Sequence, residues 1–196
     1  MNTKLLSEIT SSPHVLIAGM TGSGKSVLIN QLIDQLNGQL YLIDLKKVEL
    51  IAHKRKAVWY ADTPGEAVVM LEHILKLIEK RYKLMQKRRQ KLTPQEDIYI
   101  IIDELADLMV THRKEVEPLL TRIGQIGRAA KVHLIMATQQ PAAKIIPTSI
   151  KLNCERVALR CMTAAQSRQV IEMPGAEKLP KYGECIWHGE RRRITI

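Results

Sequence analysis

Residues Gly19-Met20-Thr21-Gly22-Ser23-Gly24-Lys25-Ser26 form a glycine-rich stretch near the N-terminus. The stretch fits the pattern G-x-x-x-x-G-K-[ST], in which glycines let backbone N–H groups form a concave cradle for phosphate. The short apolar run His14–Ala18 precedes it, and residues 27–36 follow with apolar side chains at helical spacing. Strand, glycine loop and helix in this order are the context that the motif requires, so we predict a P-loop.

The P-loop predicts a nucleotide site whose residues have distinct roles. Lys25 is expected to reach the β- and γ-phosphates, and the Ser26 hydroxyl is expected to ligate Mg²⁺. The start of the following helix adds a partial positive charge. The predicted nucleotide-binding residues are Gly19, Met20, Thr21, Gly22, Ser23, Gly24, Lys25, Ser26 and Val27.

Length and composition favour one sizeable α/β domain, because the chain has 196 residues and 45% of them are hydrophobic. Its apolar runs are too short to span a membrane, and residues 1–8 lack the long apolar segment of a signal peptide. We therefore expect a cytoplasmic protein. The cysteines Cys154, Cys161 and Cys185 form no C-x-x-C pair and are expected to be reduced, structural thiols.

The formal net charge of +10 indicates a basic surface. Such a surface suits a polyanion such as nucleic acid. Solubility and an anionic membrane surface are alternative explanations for the same charge. Charge alone therefore leaves the partner open.

Strands and helices alternate along the chain. Apolar runs predict strands at residues 14–18, 39–44, 57–60, 98–104, 132–138 and 156–161, and a closing hairpin at 185–188 and 192–196. Helical spacing and capping residues predict helices at 27–36, 64 to about 90, 105–110, 118–130 and from 163 onward. This alternation predicts an α/β fold with a mostly parallel sheet, helices on both faces and a C-terminal antiparallel hairpin. Residues 1–13 are interpreted as a polar lead-in and residues 14–196 as the domain.

Asp103 and Glu104 end the near-continuous apolar run that begins at Ile98. A carboxylate at this position beside a P-loop is placed to hold Mg²⁺, which predicts that role for Asp103. Glu104, the next residue, can act as general base on the attacking water. The alternative is that both acids simply begin the following helix, where anions are favourable.

Gln139 follows the strand at 132–138, which we expect between the P-loop strand and the Asp103 strand. Its amide can donate a hydrogen bond to phosphate or water, so it is a candidate sensor of the γ-phosphate. A polar strand end without function is the alternative.

With these motifs in place, the chain resembles the motor domain of the FtsK/SpoIIIE family of DNA translocases from about His14 to His188. Further matching segments are Asp44–Lys46 with Glu49-Leu50, Glu79–Tyr82, Tyr99–Met109, Gly127–Ala130, His133–Gln139 with Pro141, Arg156–Arg160, Ser167-Arg168 and Gly175–Leu179. The resemblance implies a RecA-like P-loop ATPase that uses ATP and Mg²⁺ and assembles as a homohexameric ring around double-stranded DNA. It also leaves room for a separate loading or membrane partner.

The resemblance assigns further roles residue by residue. It suggests Arg128 as an arginine finger that reaches a neighbour's nucleotide, with Arg122 and Arg156 as rivals. Lys151 and Arg168 lie where cations that contact DNA would fall, although ordinary surface charge explains them equally well. The resemblance covers only a motor core, so we expect a minimal or excised motor.

Two departures from the family pattern stand out. Gln140 replaces the arginine that usually follows the sensor glutamine, and Lys131 replaces a glycine that often precedes the sensor strand. The first removes one expected DNA contact. A secretion-type ATPase that moves polypeptides and an ATP-gated clamp without translocation are therefore the alternative functions.

Overall fold

The computed structural model describes residues 3–142 and 145–194 of the chain. Its helices are α1 (Thr3–Ser11), α2 (Lys25–Ile33), α3 (Pro64–Arg88), α4 (Leu105–Thr111), α5 (Arg113–Ile126), α6 (Thr148–Lys151) and α7 (Ala164–Ile171). Its strands are β1 (His14–Ala18), β2 (Gly38–Ile43), β3 (Trp59–Ala61), β4 (Asp97–Ile102), β5 (Val132–Thr138), β6 (Glu155–Ala158), β7 (Glu184–Trp187) and β8 (Glu190–Arg193). Short 3-10 turns lie at Ile51–Lys56, Arg128–Ala130 and Ala176–Lys178.

The strands form one sheet in the order β3-β2-β4-β5-β1-β6-β7-β8. The pairs from β3 to β6 are parallel, and β7 and β8 are antiparallel additions at one edge. The predicted fold class is confirmed, including the C-terminal hairpin. Residues 195 and 196, which the sequence analysis assigned to that hairpin, lie outside the described residues. The expected place of β5 between β4 and β1 is also confirmed, so three strand ends meet beside the P-loop.

Apolar side chains cover both faces of the sheet, which explains the near-continuous apolar runs of its central strands. Ile98, Ile100 and Ile102 pack on one face in a core shared with α3 and α5. The alternate residues Tyr99 and Ile101 pack on the other face in a core shared with α1 and α2. Two helix layers therefore hold the sheet and fix where its strands end.

The predicted start of α3 is confirmed in its hydrogen bonds. The Thr63 hydroxyl accepts from the Glu66 N–H at 3.3 Å, and the Glu66 carboxylate accepts from the Asp62 N–H at 3.1 Å. Pro64 occupies the first helical turn, where its missing N–H costs nothing. The helix ends at Arg88, close to the expected residue 90.

Residues 3–11 form a helix where the sequence analysis expected a polar lead-in. Leu5, Leu6 and Ile9 of α1 are buried against the core that also contains α2. Their spacing is that of a helix with one apolar face, which is difficult to recognise in only nine residues.

Helix α5 begins earlier than predicted, because Pro118 lies inside it and does not start it. The His112 carbonyl accepts from the N–H groups of Glu115 and Val116, and these bonds open the helix. Burial of Val116, Leu120 and Ile123 on one face offsets the hydrogen bond that Pro118 cannot donate. The helix ends at Ile126, and a separate 3-10 turn follows at Arg128–Ala130.

The backbone conformation of Lys131 explains why the family pattern often has glycine at this position. Its backbone has φ 52° and ψ 47° in the left-handed region, where the chain turns from the 3-10 turn into β5. A residue with a Cβ pays about 1–2 kcal/mol for this conformation, and glycine does not. The lysine is therefore a tolerated departure that leaves the path of β5 intact.

Candidate functional site

The P-loop connects β1 to α2 and needs its glycines at specific positions. Gly22 and Gly24 have φ values of 73° and 92°, which glycine adopts readily. A Cβ placed on Gly19 would lie 2.7 Å from both Leu159 Cβ and Ser23 Oγ, so this position has no room for a side chain. The loop is therefore fixed by backbone conformation and by close packing at once.

Lys25 begins α2, and its side chain turns back over the loop. Its ammonium donates to the Gly19 carbonyl at 3.1 Å, and the residue is 7% exposed. Burial lowers the pKa of Lys25, while the nearby carboxylates of Glu104, Asp103 and Glu49 act in the opposite direction. The lysine is thus brought to the same place as the acidic pair that ends β4.

Glu104 is held in one orientation by three donors. Its Oε1 accepts from the Thr138 hydroxyl at 2.7 Å and from the Ala106 N–H at 3.2 Å, and Oε2 accepts from the Gln139 N–H at 3.0 Å. Glu104 also caps α4. The alternative interpretation from the sequence, that this acid begins a helix, is therefore correct as a description of one of its contacts. Glu104 follows β4, and its donors Thr138 and Gln139 lie at the end of β5. These bonds can form because β5 lies next to β4 in the sheet.

Asp103 is buried at the end of β4, with 8% exposure. Burial raises the pKa of its carboxyl to about 7, and the negative charges of Glu49, Asp44 and Glu104 add to the effect. A carboxyl in this state favours a cation that compensates its charge. Hard oxygen donors such as this carboxylate and the Ser26 hydroxyl are the ligands that Mg²⁺ prefers.

The described residues contain no group of three or more histidine, cysteine, aspartate and glutamate side chains that could hold a metal by itself. Mg²⁺ at nucleotide sites is commonly held by one or two protein groups together with phosphates and water. Ser26 and Asp103 therefore fit a metal that arrives with a nucleotide.

A cavity of about 360 Å³ lies against the P-loop. Its lining residues are Thr21, Gly22, Gly24, Lys25, Ser26, Val27, Glu49, Gln139 and Tyr182. The Thr21 hydroxyl donates to Gln139 Oε1 at 2.5 Å, which places the candidate sensor side chain across the loop. The cavity has the size of a small-molecule site. Of the nine predicted nucleotide-binding residues, Gly19, Met20 and Ser23 belong to the loop and are absent from this lining.

Three residues of the site were not assigned a role from the sequence. Asp44 directly follows β2 and is fully buried, and its Oδ2 accepts from the Leu50 N–H at 2.9 Å and the Tyr60 hydroxyl at 3.0 Å. Glu49 and Tyr182 line the cavity. Asp44 could have been found, since it follows an apolar strand just as Asp103 does. Tyr182 is distant in sequence from every motif and carries no such signal.

Arg128 lies near the amino ends of the central strands β1 and β5, whereas the P-loop follows the carboxyl end of β1. It directly precedes β5 and shares a second cavity with Pro13 and His14, at the start of β1. The P-loop follows the end of β1, about 17 Å away for a five-residue strand. Arg128 is exposed and is not brought together with Lys25 of the same chain.

The two candidate DNA contacts lie close together, on α6 and α7. The Lys151 ammonium donates to the Gln169 carbonyl at 2.6 Å, and burial and then Arg156 lower the pKa of this lysine. Arg168, the residue before Gln169, is exposed. The Lys151 ammonium is therefore already hydrogen-bonded within the protein, and the sequence did not predict this contact.

Among the residues described, no helix is long and apolar enough to cross a lipid bilayer.

Cys154, Cys161 and Cys185 are free thiols. Burial raises the pKa of each thiol well above its usual value, to about 11 for Cys161.

Comparison with known proteins identifies relatives along almost the whole chain. The model of the FtsK/SpoIIIE family matches residues 1–92 and 87–143. "DNA translocase FtsK" of Chlorobaculum tepidum is 34% identical over 97% of this chain and 27% of its own length. "DNA translocase FtsK" of Staphylococcus aureus is 38% identical over 92% of this chain and again 27% of its own length. The chain thus spans about a quarter of these relatives.

Solved structures show the same fold. The pCW3 conjugation coupling protein TcpA, in a monomer form with ATPγS, superposes with a TM-score of 0.83 at 25% identity, covering 93% of this chain and 59% of TcpA. The cytoplasmic domain of the Thermomonospora curvata type VII secretion ATPase EccC gives a TM-score of 0.73 at 24% identity, covering 92% of this chain and 25% of EccC. The second likeness concerns the fold alone. By sequence match, motif and fold together, the chain belongs to the FtsK/SpoIIIE family and has the fold of P-loop ATPase domains.

Proposed function

We propose that the chain is an ATP-hydrolysing motor that moves double-stranded DNA and works as a ring of identical subunits, a homohexamer. The observation that carries the proposal is that the charges of Asp103 and Glu104 act on Lys25, which lines the cavity together with Gln139, and that Glu104 accepts from the Gln139 N–H. A P-loop without that acidic pair would support nucleotide binding only.

In this proposal the P-loop amides and Lys25 hold the β- and γ-phosphates of ATP. Ser26 and Asp103 would hold Mg²⁺, which would neutralise charge on the phosphates. Glu104 accepts the proton of the attacking water, and its three donors keep the carboxylate aimed at one position. Gln139 senses the γ-phosphate through its side chain, while its backbone N–H is bonded to Glu104.

The position of Arg128 supports a ring. Arg128 lies near the start of β1, at the opposite end of the strands from the P-loop, so it cannot reach the nucleotide of its own chain. It can contact the nucleotide of a neighbouring subunit if that subunit packs its P-loop against this end of the strands. In a ring each subunit would then complete the next site. The proposal also includes a separate loading or membrane partner and action in the cytoplasm. It assigns residues 14–196 to the motor and residues 1–13 to its lead-in.

The net charge of +10 supports DNA as the substrate, with Arg168 and Lys151 as candidate phosphate contacts. Two observations favour the alternative, a polypeptide substrate. Gln140 is uncharged where the family pattern has arginine, and the Lys151 ammonium is bonded to Gln169. Both reduce the positive charge available at the expected DNA contacts.

The salt dependence of duplex binding separates these substrates. We expect the affinity for a fluorescent 30-base-pair duplex, with a non-hydrolysable ATP analogue present, to fall steeply and log-linearly as salt rises. Arg168→Ala should reduce that slope by about one unit if Arg168 contacts a phosphate, and Lys87→Ala at the exposed end of α3 should leave it unchanged. Weak binding even at low salt would favour a polypeptide.

A further inference from the structure

Tyr182 has a large, exposed aromatic side chain that lines the cavity against the P-loop. It is 60% exposed, in a chain that has no phenylalanine and only 4% aromatic residues. It lies in the segment Pro180–Gly183, between the 3-10 turn Ala176–Lys178 and β7. The usual packing role of an aromatic ring therefore does not account for its position.

The segment that carries Tyr182 is held at both ends. Leu179, just before it, is buried with 3% exposure. At its other end the Gly183 carbonyl accepts from the Ile194 N–H at 2.8 Å, next to the β7–β8 pairing. The ring is thus presented from an anchored segment, which suits a binding surface.

The segment runs close to the P-loop backbone. A Cβ placed on Gly24 would lie 3.8 Å from Tyr182 Cβ, and one placed on Gly22 would lie 3.5 Å from Lys181 Cε. A molecule held by the amides of the P-loop therefore lies within reach of the Tyr182 ring.

The lining of the cavity divides by chemistry. Lys25 and Ser26 suit the phosphates and their cation, and Glu49 and Gln139 belong with the acidic pair around Lys25. Val27 and Tyr182 are the lining residues with apolar or aromatic side chains, and Val27 is 37% exposed. A nucleobase is flat and aromatic, and it needs an apolar or aromatic surface of the kind that Val27 and Tyr182 provide.

We infer that Tyr182 forms the base subsite of the nucleotide site, with its ring stacked on the base of the bound nucleoside triphosphate. The inference rests on the proposed function, because it assumes that the triphosphate lies in the P-loop. Stacking uses the face of the base and not its hydrogen-bonding edge, so this contact adds affinity for adenine and guanine nucleotides alike.

The test compares Mg·ATP with inorganic tripolyphosphate, which lacks a base, by titration calorimetry on the wild type and three variants. Tyr182→Ala should weaken Mg·ATP binding about tenfold and leave tripolyphosphate binding within about twofold of wild type. Val58→Ala, which shortens an exposed apolar side chain just before β3, should change neither affinity. Tyr182→Trp should retain ATP affinity and show fluorescence quenching by ATP but not by tripolyphosphate.

Other outcomes overturn the inference in distinguishable ways. If Tyr182→Ala weakens ATP and tripolyphosphate equally, the residue acts on the phosphate loop and not on the base. If it weakens neither, the ring does not touch the nucleotide. If the wild-type protein binds neither ligand, the nucleotide site of the proposed function is itself wrong, and the base subsite is wrong with it.

Discussion

Replacing Glu104 with glutamine is expected to lower ATP turnover about 100-fold or more while Mg·ATP still binds. Glutamine has nearly the shape of glutamate, and its carbonyl oxygen can still accept from Thr138 and Ala106. It cannot accept a proton from water at neutral pH. The loss should therefore fall on the chemical step, with kcat reduced and nucleotide affinity changed only a few-fold.

The control for this variant is Glu79→Gln, which removes a carboxylate from the exposed face of α3. It should turn over ATP as the wild type does. Thermal unfolding of both variants checks that the fold is intact. If Glu104→Gln hydrolyses ATP at the wild-type rate, Glu104 is a helix cap and not the general base.

Replacing Lys25 with methionine is expected to weaken Mg·ATP binding about 100-fold or more, because a buried charged donor to the phosphates is lost. The same change should leave the thermal midpoint of the nucleotide-free protein unchanged or slightly raised. The ammonium is buried with the Gly19 carbonyl as its hydrogen-bond acceptor, and burial lowers the pKa of Lys25. A folded-state pKa below the unfolded value means that the charged form is destabilised by folding at neutral pH.

The two readouts have opposite directions, which makes this variant informative. ATP should shift the thermal midpoint of the wild type and of the control Lys87→Met upward, and it should fail to shift Lys25→Met. A Lys25→Met protein that binds ATP normally would place the nucleotide elsewhere. One that unfolds without nucleotide would make Lys25 a structural residue.

The parts of the fold that could be predicted are those whose signal is local. The bounds of β1 coincide with the apolar run before the P-loop, and the Thr63 cap with Glu66 marks the start of α3. The place of β5 between β4 and β1 was expected together with the sensor role of Gln139, which follows this strand, and the sheet order confirms it. Helix α1 was missed because its apolar face contains only three buried leucine and isoleucine residues.

The parts that could not be predicted depend on contacts between distant residues. Tyr182 reaches the cavity only because β7 and β8 join the sheet beside β6, which brings residue 182 back to the P-loop. Lys151 ends the short helix α6 and is half-buried, because its ammonium donates to the Gln169 carbonyl of α7. Glu49 was recognised as part of a family segment, but its place in the lining required the structure.

The most direct test of the account is ATP turnover by the wild-type chain, measured with and without linear duplex DNA at low salt. The account predicts that duplex DNA raises turnover several-fold, and that the rise disappears in Glu104→Gln. Equal turnover with and without duplex, from a protein that binds and hydrolyses ATP, would contradict a DNA motor and leave a P-loop ATPase that acts on something else.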